Sequence, residues 1–127
     1  AGIAMILVTH DLGVVAQTAD RVAVMYAGQI VETREAAALF DAPAHPYTRA
    51  LMGAVPRPGG RRERLESIPG TVPPPGRMPR GCRFAPRCAA RTRLGLERCT
   101  REAPETTLLP DGGGARCFAA TTDEAPA

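Results

Sequence analysis

Four cysteines and two histidines carry most of the chemistry open to this chain. Cys82, Cys88, Cys99 and Cys117 are separated by five, ten and seventeen residues. No C-x-x-C pair is present, so the usual zinc-ribbon and zinc-knuckle patterns do not match. Spacing alone leaves open two disulfides, one zinc held by four thiolates, one cubane iron-sulfur cluster held by four thiolates, or unligated thiols. His10 offers different chemistry, because a neutral imidazole can donate one hydrogen bond to a phosphoryl oxygen and accept another from a neighbour. His45 has no partner at catalytic spacing, and is expected to cap a helix or pack at the surface.

The elements that would position these residues are short. Met5 to Thr9 is an apolar, β-branched run without polar alternation, the pattern of a strand covered on both faces in a parallel sheet. Leu12, Val15, Ala16 and Ala19 then recur at helical spacing, with Asp11 placed favourably at the helix start. His10 therefore falls in a strand-to-helix loop, where open α/β sheets bind ligands. Arg21 to Tyr26 alternates, Ala27-Gly28-Gln29 can turn, and Gln29 to Thr33 returns, so residues 21–33 read as a β-hairpin. Arg34 to Phe40 reads as an Ala-rich helix. Pro46 suits the first position of another, with Tyr47, Ala50, Leu51 and Ala54 on one face.

Composition bounds the fold. Thirteen Gly, thirteen Pro and 4% aromatics in 127 residues fit a small core with long irregular connections, or a piece of something larger. All sixteen basic residues are Arg, and twelve lie between Arg57 and Arg101, opposed there by only Glu63, Glu66 and Glu97. Such a stretch could bind nucleic acid or an acidic surface through counterion release. Few aromatics are available to stack on bases, which argues against single-strand binding. No stretch reaches the roughly 20 apolar residues needed to span a bilayer.

The run ILVTHDLGVV followed by DRVAVMYAGQIVE resembles the last part of the nucleotide-binding domain of ABC transporters, a P-loop NTPase fold, with Thr9-His10-Asp11 similar to its switch-histidine loop. HPYTRAL and, later, IPGTVPPP resemble the C-terminal extension of the ATP-binding subunits of oligopeptide and dipeptide importers. GCRFAPRC with two further cysteines resembles the cysteine motif of the same extension. The resemblance implies an α/β fold, the C-terminal remnant of an ABC-type nucleotide-binding domain, followed by a small, irregular cysteine-rich extension. It implies that His10 contacts the γ-phosphate of ATP, bound with Mg between two such subunits. It also implies a four-iron, four-sulfur cluster on Cys82, Cys88, Cys99 and Cys117, with zinc as the alternative. The segment Ala89 to Arg98 is longer than the usual gap and bears most directly on Cys99. A longer loop can bulge without moving its ends, at about a few tenths of a kcal/mol in closure entropy.

The expected organisation is residues 1–55 for the nucleotide-domain end, 56–81 for a Pro/Gly/Arg-rich linker, 82–118 for the cysteine module and 119–127 for a disordered tail. Function is expected to be that of a fragment of a peptide-importer ATPase subunit. Its partners would be a second ATP-binding subunit, membrane-spanning permease subunits and, indirectly, a peptide-binding protein, at the cytoplasmic face of the cell membrane. The sequence contains no G-x-x-x-x-G-K-[ST] loop, no Walker B carboxylates and no signature motif, so the chain alone is expected not to hydrolyse ATP. The alternative is a small metal-binding interaction module whose Arg-rich segment meets nucleic acid.

Overall fold

The computed structural model describes residues 2–54 and 67–120. Residues 56–66 of the expected linker and 121–127 of the expected tail lie outside the described residues. The chain begins with an irregular segment, residues 2–9, in which Ile3, Ile6 and Val8 are each more than 90% exposed. This corrects the expected strand over Met5 to Thr9. A strand exists only through pairing, and no other described segment pairs with this one.

Helix α1 (Leu12–Thr18) starts where the periodicity placed it. Asp11 is its N-cap, and its carboxylate accepts from the N–H groups of Gly13 and Val14 at 2.9 and 3.2 Å. Strands β1 (Arg21–Tyr26) and β2 (Gln29–Glu35) form the expected hairpin, antiparallel and irregular between Val24 and Met25. Ala27 and Gly28 make the two-residue turn, with φ of 48° and 76°. Positive φ at both central positions matches the right-handed twist of the strands, and glycine tolerates it more readily than alanine.

Strand β2 runs two residues past the expected Thr33, and helix α2 (Ala36–Asp41) follows at once. The two extra residues, Arg34 and Glu35, pair with Val22 and Arg21 of β1. Strands β3 (Thr107–Leu108) and β4 (Gly114–Ala115) complete an antiparallel sheet of order β1-β2-β4-β3, in which β4 pairs Ala115 with Glu32 and Gly114 with Thr33. A Cβ at Gly113 would lie 2.5 Å from Arg34 Cγ and 2.9 Å from the Thr33 carbonyl oxygen. Glycine there is what lets β4 reach β2.

Helix α3 (Pro46–Gly53) opens with proline at its start, but its buried stripe is Thr48 and Met52, not Ala50 and Ala54. One core joins Val24 and Tyr26 of β1, Val31 of β2, Leu39 of α2, Met52 of α3 and Phe84 from the cysteine-bearing stretch. From Ser67 to Gly81 the backbone is irregular apart from a 3-10 turn at Pro75–Arg77. It is nevertheless held down. Arg87 Nε donates to the Pro69 carbonyl at 2.7 Å and Nη2 to that of Ile68 at 3.0 Å, while Gly70, at φ 76°, leaves space for the Arg87 stem.

Candidate functional site

The cysteines approach one another through three local devices. Cys82 follows Gly81, and its N–H donates to the Cys99 carbonyl at 2.8 Å. A Cβ on Gly81 would lie 2.2 Å from that same carbonyl oxygen, so the close approach requires glycine. Next, the 3-10 turn Ala85–Arg87 leads into helix α4 (Ala89–Arg93), whose first turn is capped by Cys88, with Sγ accepting from Arg91 N–H at 3.4 Å. The long gap after Cys88 is thus taken up by α4, a turn at Gly95 with φ 63°, and the 3-10 turn Glu97–Thr100 that carries Cys99. Finally, Arg116 N–H donates to the Val31 carbonyl at 2.8 Å, continuing the sheet to the edge of Cys117.

The result is one cavity lined by Cys82, Cys88, Cys99 and Cys117 together with His45 and Arg91. All four thiols are free. Burial raises the pKa of each, and for Cys82, Cys99 and Cys117 the neighbouring thiols add to it, bringing Cys117 to about 11. Thiols held protonated in this way are poor nucleophiles and become ligands only when a metal displaces the proton.

His45 lies at the wall between this cavity and α3. It does cap the helix, as expected, with Nδ1 accepting from Tyr47 N–H at 3.0 Å. The expectation of a surface position is corrected: the residue is only 1% exposed. With Nδ1 accepting, a neutral ring carries its proton on the other nitrogen. Burial drives its pKa down to about 4, although the main chain of Arg116, the residue before Cys117, favours the charged form of the ring.

Sequence reasoning missed two groups that hold this wall. Glu32, 1% exposed, accepts from the N–H groups of Ala44 and His45, both at 2.8 Å, and its carboxylate lies 3.7 Å from Arg34 Nη1. Around His45, Tyr26, Tyr47 and Phe84 pack with ring centroids 4.7 to 5.5 Å apart, and the His45 ring is 5.9 Å from Phe84. Three of only five aromatic residues therefore meet where the hairpin, HPY and GCRF stretches join. That the few aromatics fall inside separate motifs was the available signal.

Two arginines between the first two cysteines make contacts away from the cavity. Arg83 donates to the Ala27 carbonyl, and Arg87 to Pro69, Ile68 and, at 3.3 Å, Tyr26 Oη. They strap the irregular segment and the hairpin turn to the cysteine stretch. Arg91 is among the residues that line the cavity.

A metal group suits the donor chemistry of the cavity better than its present shape. Four thiols share it, and the Cys88 and Cys117 sulfurs accept main-chain N–H groups at 3.4 Å, as metal-bound thiolates do. Yet no three His, Cys, Asp or Glu side chains among the described residues stand around one point as ligands of an ion. Free volume is about 20 Å³, the order of one water-sized group. Either zinc or a cluster would require the thiol side chains to rotate.

His10 is not part of this arrangement. It is exposed at the bend before α1, in a loop fixed on either side by the Asp11 cap and by Asp11 N–H donating to Thr9 Oγ1 at 3.0 Å.

The family model for the oligopeptide/dipeptide transporter C-terminal region matches residues 31–94, half of the chain. The chain belongs to that family. The match takes in β2, α2, α3 and the first two cysteines. The chain is also 47% identical over 114 residues to the dipeptide transport ATP-binding protein DppD of Escherichia coli, covering 90% of this chain and 34% of that protein. It is 44% identical over 114 residues to the oligopeptide transport ATP-binding protein AppD of Bacillus subtilis, again with 90% and 34% covered. A probable peptide ABC transporter ATP-binding protein of Sinorhizobium fredii is 48% identical over 117 residues, 91% of this chain and 32% of that protein. The chain thus spans about a third of the length of the curated relatives it matches. Among the described residues no helix is long and apolar enough to cross a membrane.

Proposed function

We propose that this chain serves as the C-terminal part of the ATP-binding subunit of a peptide importer, with His10 as its contact to the terminal phosphate of ATP. The observation that carries this reading is the alignment over nine-tenths of the chain with ATP-binding proteins of dipeptide and oligopeptide transport. Local geometry supports the role of His10. With Asp11 committed to capping α1, the neighbouring imidazole is left exposed on a braced loop. A neutral ring there can donate to a phosphoryl oxygen and help hold the attacking water in line. The apolar residues 2–8 would be covered by the rest of the nucleotide-binding domain, and permease subunits and a second ATP-binding subunit would complete the transporter.

In this reading the four cysteines hold a metal group, a four-iron, four-sulfur cluster by family resemblance and zinc as the alternative. What supports it is the convergence of all four thiols on one cavity. The group would cross-link four points of a region with little hydrophobic core.

Within the Arg-rich stretch, Arg83 and Arg87 are committed to main-chain carbonyls of the protein itself, which reduces the charge available to nucleic acid.

The test is peptide uptake by cells carrying His10→Ala in the intact subunit. Loss of uptake, with ATP turnover falling about a hundredfold, is expected for a group acting in phosphoryl transfer. Normal uptake and turnover would refute the assignment. Iron, sulfide and zinc assays on protein purified without oxygen, compared with Cys82→Ser and Cys88→Ser, decide between the two metal groups.

A further inference from the structure

The shape of the cysteine cavity suits a bond between two sulfurs better than ligation by four. Among the described residues no three thiols stand around one point, and the free volume is about 20 Å³. Two of the thiols are nevertheless brought together by the main chain. Cys82 N–H donates to the Cys99 carbonyl at 2.8 Å, and a Cβ on Gly81 would meet the main chain of Cys99, Thr100 and Arg101. In strand pairs a main-chain hydrogen bond sets α-carbons about 5.5 Å apart, and a disulfide spans about 4.4–6.8 Å. Both thiols are free and both line the cavity. After burial, the Cys82 thiol contributes most to raising the pKa of Cys99, so the two sulfurs lie within electrostatic reach.

From this juxtaposition we infer that Cys82 and Cys99 form a reversible disulfide when the protein meets hydrogen peroxide, locking the chain at Gly81 to the turn that carries Cys99. The two thiols have different roles. Burial raises the pKa of Cys82, but the N–H groups of Phe84 and Ala85 offset part of this, and the residue is only half-buried. Cys82 is therefore the thiol that attacks, taking one peroxide oxygen to become a sulfenic acid while the other oxygen leaves as water. Cys99, 7% exposed, resolves it. Its sulfur bonds to the Cys82 sulfur and displaces the hydroxyl, which leaves with the Cys99 proton as a second water. Together the thiols lose two electrons and the peroxide gains them. Because burial keeps both thiols mostly protonated, the bond forms slowly near neutral pH. Cys88 and Cys117 are engaged elsewhere, their sulfurs accepting from Arg91 and Ala119 N–H, each at 3.4 Å. A metal group on four thiolates and this disulfide exclude each other, so the inference does not rest on the metal reading.

The experiment treats the reduced, metal-free 127-residue chain with a small excess of hydrogen peroxide, blocks the remaining thiols and maps the cross-links after trypsin digestion. An arginine lies between every two successive cysteines, so each falls in its own peptide. The expected result is the loss of two of the four free thiols, with the peptide of Cys82 joined to that of Cys99 as the dominant product. Dithiothreitol should restore both. Cys88→Ser and Cys117→Ser should keep the bond, whereas Cys99→Ser should stop at a sulfenic acid on Cys82 that a dimedone label captures. Cys82 or Cys99 found mainly in another pairing overturns the inference. So do bonds formed only between molecules, or four thiols that all stay free until the chain is unfolded. Should Cys99→Ser fail to fold, the wild-type map decides by itself.

Discussion

Residues 2–9, an apolar and β-branched run, and strand β2, in which only Ile30 and Val31 of seven residues are apolar, have opposite fates. Ile3, Ile6 and Val8 are over 90% exposed, whereas β2 lies inside the sheet, with Val31 3% and even Glu32 1% exposed. Apolar content therefore does not decide which run becomes a strand. Strand β2 has one partner across a two-residue turn and another, β4, admitted by glycine from eighty residues further along the chain. The first run has neither. Strand formation here depends on partners and on the close approaches that let them in.

The strongest way to break the ordered side of this comparison is at Gly81. A Cβ 2.2 Å from the Cys99 carbonyl oxygen also meets the main chain of Thr100 and Arg101 within 3 Å and cannot be relieved by a side-chain rotation. Gly81→Ala is expected to cost more than about 4 kcal/mol, the range reserved for severe core disruption. Denaturant unfolding would measure it. A cost under about 1 kcal/mol would mean that Cys82 and Cys99 are not held together as described.

The next effect is one of pH. The folded pKa of His45 is about 4 against 6.5 for the free side chain, so the unfolded chain binds the extra proton between those values. Stability is therefore full above pH 6.5 and falls as pH is lowered towards 4. The loss approaches about 3 kcal/mol. Unfolding midpoints measured from pH 7 to pH 4 should show this slope. His45→Asn, which keeps an N-cap acceptor but does not titrate, should flatten it, and an unchanged slope would assign the effect to other groups.

Glu32 gives a smaller effect with a sharper diagnosis. Glu32→Gln keeps the shape but offers one carbonyl oxygen to the N–H groups of Ala44 and His45 and sets its NH2 against the other. A cost of about 2 kcal/mol is expected. If Glu32→Gln unfolds like wild type, the carboxylate is not what seats α3 against the sheet.

How much of this was legible in the sequence follows the same division. Helix α1, the hairpin and the Pro46 start of α3 were readable because each is specified within a few residues, by a cap, a turn or a proline. The end of β2 was not readable, because Arg34 and Glu35 are held in the strand by pairing with Val22 and Arg21 at the start of β1. Nor was the burial of Glu32, whose partners are the N–H groups that begin α3. The inward stripe of α3 fell on Thr48 and Met52 because the aromatic cluster, not the alanine pattern, sets its rotation. For the cysteines, spacing left several chemistries open, and their meeting in one cavity depends on Gly81, α4 and the β2–β4 pairing together.

The smallest expected effect bears hardest on the comparison. If residues 2–9 are unpartnered within this chain, Ile6→Lys and Val8→Lys alter groups already in water, and unfolding of the 127-residue chain should change by no more than about 0.5 kcal/mol. In a larger protein where the same run is a central strand covered on both faces, each substitution would bury a charge without a counterion. Stability should then fall by several kcal/mol. Measuring both variants in both settings separates the two causes of a strand. A cost in the short chain would mean that the run already packs against its own fold. Neutrality in both settings would mean that no sheet ever takes it, and would remove the physical basis for placing His10 at the end of a strand. Neutral in the short chain and costly in the longer one is the expected pattern.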